Sequence, residues 1–145
     1  MVKKIELNKD MSILFLCTGN SCRSQIAEGI ARDLFPSSFK IHSAGIEAHG
    51  INPNAARVME DIGIDISSQS SKIIDDNQID TFDLVITLCG DAKDRCPYIN
   101  SNKHIHWSLI DPARLVGTNS EVLKGFAKVR DQIFNYITAL HKQYT

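Results

Sequence analysis

Four short segments of the chain have apolar residues that are consecutive or alternate with polar ones, a pattern typical of β-strands. They lie near residues 13–17, 39–44, 83–89 and 104–107. The first and third are almost continuously apolar, as expected of strands buried on both faces of a parallel sheet. Each of these two ends in a cysteine, Cys17 or Cys89. Because parallel strands end at the same edge of a sheet, we expect both thiols at that edge.

Helical patterns occupy the intervals between these strands and the end of the chain. Apolar residues recur at three- or four-residue spacing in the first and last of them, and Asn52-Pro53 is typical of a helix start. The predicted helices comprise residues 26–34, 53–62 closed by Gly63, a short helix near Lys72, 91–96, and a long final helix with Ser120 as N-cap. Strands that alternate with helices predict a four-stranded parallel sheet with helices on both faces, a single-domain flavodoxin-like α/β fold.

Length and charge narrow the class of protein. The 145 residues suit one domain, which we expect to comprise residues 11–145 after a flexible lead-in of residues 1–10. A net charge of −1 gives no electrostatic argument for nucleic-acid or membrane binding. No apolar run approaches the roughly 18 residues of a membrane helix. No signal peptide is visible, so we expect a cytoplasmic protein, in which structural disulfides are rare.

The four cysteines are therefore expected to carry chemistry. Zinc is disfavoured, because the gaps from Cys17 to Cys22 and from Cys89 to Cys96 exceed the usual zinc-ligand spacing. No metal or organic cofactor is expected. The five histidines form no recognisable constellation along the sequence.

The segment that joins the first strand to the first helix is the strongest candidate site. Its backbone N–H groups can turn towards an oxyanion at the helix N-terminus, and Arg23 can bind two oxygens with its planar guanidinium. The same positive field favours a thiolate nucleophile at Cys17, with Ser24 placed to donate a hydrogen bond to it. The predicted oxyanion-binding loop comprises Thr18, Gly19, Asn20, Ser21, Cys22, Arg23 and Ser24. The alternative is that Cys17 and Cys22 are merely small buried hydrophobes.

The Cys-x5-Arg loop resembles the phosphate-binding loop of the low-molecular-weight protein tyrosine phosphatases. The longer string from Cys17 to Gly29 is similar to that of the thioredoxin-coupled arsenate reductases, which share that fold. Segments 43–50, 87–97 and 106–113 resemble the same reductases, and the resemblance extends from about residue 13 to the final helix.

The resemblance to the reductases implies three essential thiols and a general acid. Cys17 would attack arsenate while Asp111 protonates the departing oxygen. Cys89 and then Cys96 would resolve the adduct as disulfides, and thioredoxin would supply the reducing equivalents. Phosphate and sulfate would compete as oxyanions, and the protein is expected to be a monomer. Asp111 precedes a proline, so the alternative for it is a turn aspartate.

Two other functions are compatible with the same residues. A phosphatase would use Cys17, Arg23 and Asp111 and would have no use for Cys89 and Cys96. A redox sensor would signal through a disulfide between Cys89 and Cys96. The last two cysteines could also be unrelated buried thiols.

Some of these reductases bind potassium beside the loop, and the resemblance covers that site in part. Three of its ligands match Asn20, Glu28 and Ser43, while the fourth position is occupied by Lys72. We expect the Lys72 ammonium to take the place of the ion and to pair with Glu28. The alternative is a solvated surface lysine.

Overall fold

A computed structural model describes residues 10–89 and 103–144 of the chain. Its strands and helices, in chain order, are β1 (Ser12–Cys17), α1 (Arg23–Leu34), β2 (Lys40–Gly45), α2 (Pro53–Glu60), α3 (Asp76–Ile79), β3 (Leu84–Thr87), β4 (His104–His106) and α4 (Asn119–Tyr144). A short 3-10 turn, Pro112–Arg114, lies between β4 and α4.

The four strands form one parallel sheet in the order β2-β1-β3-β4. The central strand β1 pairs on one side with β2, where Cys17 lies opposite Gly45, and on the other with β3, where Leu16 lies opposite Thr87. All four strands therefore end at the same edge. This arrangement confirms the predicted four-stranded parallel α/β architecture.

The alternating side chains of β1 face two apolar clusters of unequal size. Ile13 and Phe15 pack into the larger cluster, which also contains residues of α1, α2 and α4. Leu14 and Leu16 face the smaller cluster, where the four-residue helix α3 contributes Ile79. Because β1 is buried on both faces, its carboxyl end is held rigidly, and with it Cys17.

Two local predictions are wrong. The short helix expected near Lys72 begins instead at Asp76, because Asp75 and Gln78 form a capping box there. The final helix is preceded by Thr118 rather than capped by Ser120. Thr118 Oγ1 accepts a hydrogen bond from the Glu121 N–H, and the Glu121 carboxylate accepts one from the Thr118 N–H.

Some predictions fall on residues that the structure does not describe. They concern residues 1–9 of the lead-in, the short helix expected at residues 91–96, and the thiol of Cys96. Over the described ranges, no helix combines the length and the apolar character needed to cross a bilayer.

The close approach of β2 to the loop after β1 yields a first prediction. A methyl group added at Gly45 would lie 2.6 Å from the Glu47 oxygen, 2.7 Å from the Asn20 nitrogen and 2.8 Å from the Thr18 oxygen. These are backbone atoms, which cannot move aside as a flexible side chain can. Gly45→Ala should therefore lower the free energy of unfolding by about 1–3 kcal/mol, measured by urea denaturation, and weaken phosphate binding, measured by calorimetry.

Gly50→Ala is the matched control. Gly50 has φ of +78° but an added methyl there meets no atom, so this substitution adds backbone strain of about 1 kcal/mol without crowding the loop. Phosphate binding should be unchanged in Gly50→Ala. Equal binding by the Gly45→Ala and wild-type proteins would contradict the close contact.

Candidate active site

Cys17 is the last residue of β1, directly before the predicted oxyanion loop. Its Sγ is 2.8 Å from the Ser24 hydroxyl oxygen. That oxygen accepts a hydrogen bond of 2.8 Å from the Asn20 side-chain amide, so the Ser24 hydroxyl can direct its own hydrogen to the sulfur. A hydrogen bond of this kind stabilises a thiolate more than a thiol. The structure thus places the Ser24 hydroxyl within hydrogen-bond distance of the Cys17 sulfur.

Asn20 connects the loop to its surroundings. Its backbone φ is +47°, a left-handed conformation that asparagine tolerates better than most residues. Its amide nitrogen donates to Ser24 and, at 3.0 Å, to Ser43 Oγ, while its amide oxygen accepts from the Lys72 N–H at 2.8 Å. Ser43 Oγ in turn donates to the Glu28 carboxylate at 2.6 Å. A buried polar network with every member satisfied holds the loop in one conformation.

The expected ion pair between Lys72 and Glu28 is wrong. Glu28 pairs with Arg32, whose Nε lies 2.8 Å from the carboxylate, one helical turn along α1. The Lys72 ammonium is exposed and lies 3.5 Å from the Ser70 carbonyl oxygen. Within residues 10–89 and 103–144, no cluster of three or more His, Cys, Asp or Glu side chains could hold a metal ion.

Arg23 and Asp111 face each other, although 88 positions separate them in the sequence. The Arg23 side chain is buried; its Nη1 donates to the Leu109 carbonyl at 3.0 Å, and its Nη2 lies 3.8 Å from Asp111 Oδ2. Asp111 precedes the 3-10 turn, where its Oδ1 accepts a hydrogen bond from the Ala113 N–H at 3.0 Å. Its Oδ2 is also 3.3 Å from Arg114 Nε.

These groups enclose a cavity of about 200 Å³, large enough for a small tetrahedral anion. Cys17, Arg23 and Asp111 all line this cavity. The structure thus brings the expected nucleophile, anion-binding arginine and acid together. Glu47, His49 and Arg114 also line the cavity.

Cys89 follows β3 at the same edge of the sheet as Cys17, as expected. It is buried, and the preceding residue, Leu88, donates its N–H to the Leu16 carbonyl at 3.0 Å. The chain therefore continues beside the end of β1. No disulfide joins Cys17, Cys22 and Cys89 to one another. Cys96 lies outside the described residues.

Cys22 is a buried member of the larger apolar cluster. Burial, reinforced by the negative charge of Asp111, raises the pKa of its thiol to about 12. Because the thiolate is the nucleophilic form of cysteine, this buried thiol is a weak nucleophile at neutral pH. This agrees with the view of Cys22 as a small buried hydrophobe.

The side chains of His104 and His106 both lie within hydrogen-bond distance of the Thr87 hydroxyl group. Thr87 Oγ1 lies 2.8 Å from His104 Nε2 and 2.6 Å from His106 Nδ1. Residues i and i+2 of a strand lie on the same face of the sheet. The spacing of His104 and His106 could therefore have predicted that their side chains lie together. The contact ties β4 to the last residue of β3, two positions before Cys89.

Comparison with known proteins shows the family to which the chain belongs. Residues 12–145 match the model of the low molecular weight phosphotyrosine protein phosphatase family, and the chain belongs to that family. It is 55% identical over 124 residues to an arsenate reductase of Bacillus subtilis (strain 168), covering 85% of this chain and 89% of that protein. It is 46% identical over 123 residues to an arsenate reductase of Staphylococcus aureus (strain Newman), covering 84% and 89% of the two.

Solved structures agree with this assignment. An arsenate reductase in its phosphate-binding state matches with a TM-score of 0.78 and 34% identity, covering 93% of this chain and 99% of that one. The tyrosine phosphatase Wzb from Escherichia coli K30, in complex with sulphate, matches with a TM-score of 0.75 and 23% identity, covering 92% and 98%. At 23% identity, the match to Wzb shows only that the fold is shared. The resemblance noted in the sequence, both to the phosphatases and to the reductases, is confirmed.

The raised pKa of Cys22 predicts slow alkylation. At pH 8 a thiol with a pKa of about 12 is ionised to a fraction on the order of 10⁻⁴, against roughly a quarter for an ordinary cysteine. Labelling of Cys22 by iodoacetamide, followed by peptide mapping, should be slow in the folded protein. The labelling rate should rise about tenfold per pH unit between pH 8 and pH 10, because the thiolate is still a small fraction of Cys22 over this range.

The urea-unfolded protein is the reference for this measurement. There Cys22 should label at an ordinary rate that levels off near pH 9. Equal rates in the folded and unfolded proteins at pH 8 would contradict the burial of Cys22.

Proposed function

We propose that this protein reduces arsenate to arsenite with electrons from its own thiols. The observation that carries the proposal is the thiol of Cys17 in an oxyanion loop, opposite Arg23 and Asp111, in a chain similar to named arsenate reductases. The proposal needs no bound metal or organic cofactor, and thioredoxin restores the thiols. Phosphate and sulfate are expected to compete for the loop.

The first step joins sulfur to arsenic. Arsenate binds to the backbone N–H groups of the loop and to Arg23, and the Cys17 thiolate attacks the arsenic atom. An arsenic–oxygen bond breaks as Asp111 gives its proton to the departing hydroxyl group of arsenate, which leaves as water. Arsenic is still pentavalent in the resulting adduct. The Ser24 hydroxyl, 2.8 Å from the Cys17 sulfur, is placed to donate a hydrogen bond to it before the attack.

The second step reduces arsenic, and the third restores Cys17. The Cys89 thiolate attacks the Cys17 sulfur, the electron pair of the sulfur–arsenic bond remains on arsenic, and arsenite leaves. Cys96 then attacks Cys89, which frees the Cys17 thiolate and leaves a disulfide between Cys89 and Cys96. Thioredoxin reduces that disulfide. The common sheet edge of Cys17 and Cys89 supports the second step, and the family resemblance supports the third.

A phosphatase is the second candidate, because Cys17, Arg23 and Asp111 suffice for phosphate-ester hydrolysis and the family includes phosphatases. The two arginines among the described residues that line the small cavity, Arg23 and Arg114, suit a small inorganic oxyanion.

The reductase proposal predicts three required cysteines. NADPH consumption is measured with arsenate, thioredoxin and thioredoxin reductase for single Cys→Ser variants. Replacing any one of Cys17, Cys89 and Cys96 by serine should lower turnover by about a thousandfold or more. Each of these sulfur atoms forms a covalent bond in the proposed cycle that a serine oxygen does not form. Cys22→Ser is the matched control and should retain turnover with a less stable loop. Full turnover by the Cys89→Ser variant would exclude the cascade.

A second assay separates the candidate functions. Cys89→Ser should still hydrolyse p-nitrophenyl phosphate at the wild-type rate, because that reaction needs no second thiol, while its arsenate turnover is lost. A wild-type protein that hydrolyses phosphotyrosine but does not reduce arsenate would be a phosphatase. Oxidation of Cys89 and Cys96 that proceeds equally without arsenate would indicate a redox sensor.

A further inference from the structure

A second arginine stands at the mouth of the cavity and has no part in the scheme above. Arg114 is the last residue of the 3-10 turn, and its side chain is 37% exposed. It lines the same cavity as Cys17. Its Nε and the Nη2 of the buried Arg23 face the same oxygen, Asp111 Oδ2, at 3.3 and 3.8 Å.

The direction of attack decides which ligand atom comes near Arg114. When a nucleophile attacks a tetrahedral centre in line, the departing oxygen lies opposite it. Three oxygens of the anion then meet the loop and Arg23, and the fourth points away from Cys17 towards Asp111, which must protonate it. Arg114 Nε lies only 3.3 Å from that carboxyl group. The fourth oxygen is therefore within reach of Arg114.

We propose that Arg114 is a specificity-determining residue that binds this fourth, outward-facing oxygen and so favours a free inorganic oxyanion over a phosphate ester. The proposal rests on the proposed function for its substrate class. A free anion presents a terminal oxygen there, which accepts a charge-assisted hydrogen bond. An ester presents an oxygen that is blocked by carbon and is a poor acceptor.

Contacts other than that with Arg114 also hold Asp111 in place. Asp111 Oδ1 is held by the Ala113 N–H, and the turn is anchored by Leu115, whose side chain packs directly against Gly125 of α4. A partly exposed ion pair contributes little to stability. The ion pair between Arg114 and Asp111 is therefore only a weak obstacle to a contact between Arg114 and the ligand.

The cavity also contains an acidic group, Glu47, on another wall. Its carboxylate lies 3.2 Å from His49 Nε2. Among the described residues that line the cavity, Arg23 and Arg114 are the two guanidinium groups. Arg23 is buried at the base, so Arg114 is the one that an incoming anion meets at the mouth.

The test compares two anions that differ in one group. Inorganic phosphate has a fourth oxygen where methylphosphonate has a methyl, and both have the three oxygens that meet the loop. Their binding to the reduced wild-type protein, Arg114→Ala and Arg114→Lys is measured by titration calorimetry. Arg57→Ala is the control, because Arg57 is an exposed arginine that pairs with Asp61 on α2.

Arg114→Ala should weaken phosphate binding by about tenfold, the size of a partly screened charge-assisted hydrogen bond. Methylphosphonate binding should change less than about twofold, Arg114→Lys should restore part of the phosphate affinity, and Arg57→Ala should bind both anions as the wild type does. In turnover, Arg114→Ala should raise the KM for arsenate with little change in kcat. The kcat/KM for p-nitrophenyl phosphate should not fall.

Equal weakening of both anions, or no change in either, would overturn the assignment. A lower kcat for both substrates at unchanged phosphate affinity would also overturn it, since Arg114 would then only support Asp111. The binding ratio needs no turnover. A wild-type protein that fails to reduce arsenate would therefore refute the proposed function while leaving the assignment of Arg114 to be decided by the binding data.

Discussion

The hydrogen bonds of the Asn20 side chain are the contact on which the rest of the site depends. One amide group joins three segments that are distant in the sequence, through Ser24 of α1, Ser43 of β2 and the backbone of Lys72. Asn20 is fully buried, and an unsatisfied buried amide would be costly. The network therefore holds together as a unit and sets the distance between Ser24 and the sulfur of Cys17.

The two halves of the site are supported differently. The thiols of Cys17 and Cys89 follow strands whose side chains are buried, so their positions are set by the sheet. Asp111 and Arg114 belong to a connection between β4 and α4, held by the packing of Leu115 on Gly125. The proposed nucleophile thus lies on a buried strand, whereas the proposed acid and the outer arginine lie on a loop outside the sheet.

Features encoded by neighbouring residues were predictable from the sequence alone. The apolar run of β1, the turn residues after it and the spacing from Cys17 to Arg23 together indicate a strand, a loop and a helix N-terminus. The alternation of strands and helices then implies a parallel sheet and a common edge for Cys17 and Cys89. The ion pair of Glu28 with Arg32 was also predictable, because the two lie four residues apart on α1, whereas the family resemblance indicated Lys72 as the partner.

Features that depend on distant residues were decided only by the tertiary structure. No local pattern relates Arg23 to Asp111, or Thr87 to His104 and His106, because strand order and register bring them together. The backbone of Lys72 is held by Asn20, while its ammonium extends to the surface. Sequence determined which chemical groups this protein carries and which of them lie at one edge of the sheet. Packing determined which groups touch, because hydrogen bonds and ion pairs form only between atoms within a few ångströms of each other.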